Sequence, residues 1–156
     1  MQIWRYLFAA AAVLFVVGVV VQVFLAGVGL FGAGDMAGHV DFGYLLSVVP
    51  LLPLLLAWPA RAGGRTAALC AGLLVATQVQ TFLPLLRDEA PLVAALHPVN
   101  ALLVFGLGLM VVRRGLALAR MSSETQTPLA SAPPMPWSPM RDESKVRSIG
   151  SSDGGD

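Results

Sequence analysis

Charge is scarce in this chain. Only 12% of its 156 residues are Asp, Glu, Lys or Arg, against about a quarter in an average soluble domain. Apolar residues make up 56%, and the mean hydropathy is +0.75. That composition excludes a soluble globular domain. The net charge of +1 offers no basic surplus for a nucleic-acid partner. Cysteine is nearly absent as well. Cys70 stands alone, so an intrachain disulfide and a thiolate metal site are both excluded, and its apolar neighbours read it as a small packing residue. No nucleophile–base pair, carboxylate cluster or phosphate-binding loop occurs. The glycines of "GAGDMAG" have no strand before them and no phosphate context. Nothing here points to an enzyme.

What remains is apolar length. A membrane helix needs about 20 apolar residues, and four runs qualify: residues 6–31, 39–58, 66–86 and 91–112. The first is far longer than the roughly 7–15 residues of a signal-peptide core and reads as an uncleaved anchor. The links "GAGDMAG", "PARAGGR" and "RDEA" are short, which predicts an all-α membrane protein, an antiparallel four-helix transmembrane bundle. Residues 1–120 form this bundle. Residues 121–156, rich in Ser, Thr and Pro, predict a disordered tail that could dock a cytoplasmic partner.

Positive residues set the expected orientation. Arg5, Arg61, Arg65, Arg113, Arg114 and Arg120 flank the spans on one side, while only Arg87 lies on the other, beside Asp88 and Glu89. By the positive-inside rule both termini are cytoplasmic. The expected location is the plasma membrane, crossed several times, with the lipid bilayer as the principal partner and another membrane protein as a further one.

The two histidines sit in a repeat. An ungapped shift of 58 residues lays "QVFL" at 22–25 on "QTFL" at 80–83 and His39 on His97. Gln and His are rare here, so these matches carry weight, and spans one and two read as a duplicate of spans three and four. Repeats with an even number of spans insert the same way round, related by a pseudo-two-fold axis along the membrane normal. His39 and His97 then face each other at similar depth in the outer half of the bilayer, with Gln22 and Gln80 in the same layer and pointing inward. Small residues accompany them: Gly18 or Ala76 one turn before each Gln, and Gly43 or Ala101 one turn after each His. These leave room for a flat ligand, or for close helix packing.

Two facing imidazoles fit the axial positions of a haem b iron. Arg87 is the basic residue on the outer face that would meet a propionate, and Asp35, four residues before His39, would hold its second ring nitrogen. Asp41 has no 58-residue mate. A zinc site would need further ligands. The alternative is a non-catalytic membrane scaffold or accessory subunit, in which Gln and His cross-link helices and the tail docks a partner. Both readings stand at this point.

"VQVFLAGVGLFG" followed by His39, with "TQVQTFL" and "ALHPVNALLVFG" in the second half, resembles a family of small bacterial four-span proteins, domain of unknown function 6220. The resemblance covers roughly residues 6–112 and implies no activity. The layout is also similar to one half of haem A synthase, where each four-span half holds haem through histidines at the outer ends of its even-numbered spans. Carried over, that placement falls on His39 and His97 and implies haem. One four-span unit lacks the second haem centre, so the resemblance does not imply haem A synthesis.

Overall fold

A computed structural model describes residues 2–124 of the chain, and side-chain surroundings for residues 2–121. Apart from residues 121–124, the expected tail lies outside the described residues. The elements are α1 (Gln2–Leu30), α2 (Ala37–Val48), α3 (Leu51–Leu56), α4 (Gly64–Phe82), a 3₁₀ turn (Leu83–Leu86), α5 (Pro91–Ala94) and α6 (His97–Glu124). The described residues contain no strand. Four segments are long and apolar enough to cross a membrane: Gln2–Leu30, Ala37–Leu56, Gly64–Leu86 and Pro91–Met121. The chain is an integral membrane protein.

Proline decides where the helices break. Pro50 and Pro53 cannot donate to the helical ladder, so the second span is two pieces, α2 and α3, rather than one rod. Pro84 falls where α4 tightens into the 3₁₀ turn. Pro91 opens α5 at a position where a missing N–H costs nothing. Pro98 disfavours helical backbone before it, and His97 becomes the first residue of α6. Beyond Pro98 no proline occurs before residue 128. Accordingly α6 does not stop near Val112, as hydropathy suggests, but carries Arg113, Arg114 and Arg120 along to Glu124. The α3–α4 link turns back through Arg61 and Gly63, both at positive φ (53° and 82°).

Packing follows the demands of lipid. Where tails are as apolar as leucine, helices associate through small residues that let backbones approach. The buried core is built on Ala9, Ala12, Ala57, Ala60, Cys70 and Ala76, around the rings of Phe8 and Phe15 and the side chains of Leu73 and Val111. Large side chains such as Phe24, Leu45, Leu55, Val75 and Leu102 are exposed on the outside. The helix α1 packs chiefly on α6. There Gly108 sits beside Phe15 and Val16, and Gly115 lies against Ala9 and Phe8.

At the proline break, Gln78 of α4 donates from Nε2 to the Ser47 carbonyl of α2 (2.9 Å). Water cannot replace this bond inside a bilayer. Gln78→Leu is therefore expected to lower stability by about 1–2 kcal/mol. Cys70 supplies the readout: it is the only cysteine and is fully buried, so thiol labelling against temperature in detergent reports unfolding. A labelling midpoint equal to that of the unaltered chain would assign the bond no net role.

Candidate functional site

His39 lies in the first turn of α2, and His97 begins α6. Their ring centroids are 6.2 Å apart, with the planes at 74°. Each ring is half-buried, and each is held by the glutamine seventeen residues before it. His39 Nδ1 meets the Gln22 carbonyl at 3.1 Å, and His97 Nδ1 meets the Gln80 carbonyl at 3.0 Å. A carbonyl only accepts, so both Nδ1 atoms carry the proton, and in the neutral ring it is Nε2 that keeps the lone pair. The tautomer is thus set by the partner.

The two Nε2 atoms are treated differently. Gln80 donates from its side-chain Nε2 to His97 Nε2 (3.2 Å). Its Oε1 accepts from Asn100 Nδ2 (2.7 Å), and that same Nδ2 donates to the Ala76 carbonyl (2.9 Å). The Gln22 amide instead donates to the backbone carbonyl of His39 (2.8 Å) and stands 3.5 Å from its Nε2. Gln22 Oε1 is buried with no hydrogen-bond partner. Fifty-eight residues before Asn100 the chain carries Phe42, which has no amide to offer.

The small residues do not all act as the sequence suggests. The backbone of Gly43 is covered by Gln22: a Cβ there would fall 2.7 Å from its Nε2. The room beside His39 is filled from within, because a bare α2 backbone lets the amide lie flat against it. Ala101, one turn after His97, is half-buried. Asp35 does not reach the His39 ring. Its carboxylate accepts from the Ala37 backbone N–H (3.0 Å), the local bond a short acidic side chain makes at a helix start, and the Gln22 carbonyl takes the imidazole N–H instead. Arg87 is exposed and pairs with Asp88 at 3.5 Å. Asp41 is exposed on α2. No group of three or more His, Cys, Asp or Glu positioned for a metal occurs among the described residues.

Sequence reasoning placed Gln22 and Gln80 in the histidine layer but missed that they bind the rings directly. It also missed Asn100 and Gln78. The signal for the first was present: 22 to 39 and 80 to 97 are the same interval.

Residues 22–85 match the model of a family of unknown function (DUF6220). The matched stretch contains Gln22, His39 and Gln80, and stops short of His97 and Asn100. No curated protein and no solved structure matches the chain.

Proposed function

We propose that this chain is a haem-b-binding membrane protein acting in electron transfer or haem handling, with His39 and His97 as axial ligands. The observation that carries the reading is the pair of imidazoles with both Nδ1 atoms tied to backbone carbonyls. That is the outer-shell arrangement that orients a metal-binding histidine and presents its Nε2. Two imidazoles on one ion, with bonds of about 2 Å, place their ring centres roughly 6 Å apart, close to the 6.2 Å found. That spacing supports a bis-imidazole pair of ligands, with the Gln22 amide beside Gly43 and the Gln80 amide on His97 Nε2 as the groups that would have to move for a haem. When bound, haem b supplies a one-electron couple with two neutral nitrogen ligands. The chain's own part is to orient both rings through Gln22 and Gln80, to turn those side-chain amides off Nε2, and to offer Arg87 at the outer face.

The same proposal includes an antiparallel bundle of two duplicated halves with both termini in the cytoplasm. Supporting it, Gln22 meets Gly43 while Gly18 meets Leu46, and Gln80 meets His97 while Ala76 meets Asn100. In each pair of helices one partner's numbers rise as the other's fall. The arginine distribution supports the orientation.

A second reading is favoured by one contact, the Gln80 amide already seated on His97 Nε2. In it, Gln, His and Asn form a cross-linking belt in a scaffold or accessory subunit, bound to other membrane proteins. One experiment separates the two. The full chain is purified in detergent from cells supplied with haem, and its visible spectrum is recorded. The expected result is a Soret band with low-spin bis-imidazole features, absent from the His39→Ala/His97→Ala chain. No band, or a band unchanged in that variant, would leave the belt alone.

A further inference from the structure

We propose that Asn100 is a positioning residue that makes the two imidazoles inequivalent, with His97 held by a fixed donor and His39 the open ligand. The inference concerns the site proposed above and rests on that reading only where haem is involved. Its logic begins at one backbone atom. The Ala76 carbonyl can only accept, so the side-chain nitrogen of Asn100, not its oxygen, must face it. The second proton of that nitrogen then points at Gln80, which must present Oε1. With its oxygen committed, Gln80 must turn its NH₂ toward His97. His97 must therefore meet it with an unprotonated Nε2, and its proton resides on Nδ1, bound to the Gln80 carbonyl. Every polarity in this relay follows from the first.

The other half lacks the origin of the relay. Phe42 occupies the position 58 residues before Asn100, and Gln22 Oε1 is left buried without a donor. Nothing fixes the Gln22 amide from behind. It spends its short bond on the His39 carbonyl at 2.8 Å, and its 3.5 Å approach to Nε2 is at the limit of a hydrogen bond. The His39 lone pair is thus nearly free, whereas using that of His97 requires withdrawing an anchored amide. His39 is therefore the ring that would hold a metal centre without first displacing an amide.

The relay is tested on the haem-free full chain in detergent, labelled with ¹⁵N-histidine, with the two residues assigned by their single alanine variants. Both rings are expected as the Nδ1–H form, with His97 Nε2 showing the shift of a hydrogen-bonded lone pair. Asn100→Asp replaces the donor by an acceptor, so Gln80 rotates and offers oxygen to His97. The His97 proton stays on Nδ1 against the Gln80 backbone carbonyl, so the expected result is loss of the hydrogen-bonded shift at His97 Nε2 with the His39 signals unmoved. A His97 Nε2 shift unchanged in a folded Asn100→Asp chain overturns the proposal. Should that variant not fold, Gln80→Leu and Gln22→Leu decide. A large Nε2 shift at His97 and a small one at His39 supports the inequivalence, and equal shifts overturn it. In the haem-loaded chain, His39→Ala is expected to lose several-fold more Soret absorbance than His97→Ala, and the reverse order overturns the assignment of His39 as the open ligand. A wild-type chain without a Soret band would end the haem reading but leave the ¹⁵N result to judge the relay.

Discussion

Gly115→Leu is expected to separate α1 from α6 and leave little folded protein. At Gly115 even a single added carbon would sit 2.9 Å from the Ala9 Cα, 3.1 Å from the Phe8 ring and 3.2 Å from the Ala9 Cβ. The first of these is backbone and cannot swing aside. Gly115→Ala must therefore push the two helices apart, costing about 1–3 kcal/mol by analogy with overpacked cores. Leucine brings three more carbons to the same place and exceeds that range. Because α1–α6 is the most extensive helix pairing, the loss spreads to the whole bundle. Gly72 is the control. It is exposed on α4 with nothing within 4 Å of an added carbon, so Gly72→Ala should be neutral or gain about 0.5–1 kcal/mol from the lower helical cost of alanine. Thiol labelling of Cys70 measures both. A Gly115→Leu chain melting within a degree or two of the unaltered protein would mean that α1 and α6 do not meet at this glycine.

The second large effect is ligand linkage. A group that binds only the folded chain stabilises it by RT ln(1 + [L]/Kd), about 4 kcal/mol when free ligand is a thousandfold above Kd. Haem supplied at that excess should raise the thermal midpoint of the wild-type chain accordingly. In the His39→Ala/His97→Ala chain the gain should vanish. Without haem, the same double variant loses only the Gln–His hydrogen bonds, at about 0.6–1.7 kcal/mol each in a membrane interior. The two readings of the site thus differ in size. A wild-type gain that the double variant retains, or no gain at all, would reduce the histidines to members of a polar belt.

The helical class and the membrane location were legible because each is a sum over many residues. Long apolar runs in a bilayer leave the backbone no choice but its own hydrogen bonds, and four such runs separated by arginines or glycines can be counted on the page. The break at Pro50 was not legible, because it falls inside the apolar run 39–58 that hydropathy reads as one span, whereas a missing N–H is a property of one residue. The layer of Gln22, His39, Gln80 and His97 was visible from rarity and spacing alone.

The far end of α6 was not, because hydropathy falls at Arg113 whereas helix formation does not. Nor could composition reveal which polar group meets which. Asp35 is close to His39 in sequence, yet the Gln22 carbonyl, seventeen residues away, takes the ring proton. Gly43 offered room that another helix's side chain fills. The role of Asn100 needs a carbonyl on α4, an amide on α4 and an imidazole at the head of α6 brought within 3.2 Å steps. Apolar segments are driven into the bilayer whatever their neighbours, so sequence alone determined that this chain spans it and where its polar layer lies. Hydrogen bonds act only over about 3 Å and only in one direction, so the pairing and polarity within that layer were decided by helix packing in three dimensions.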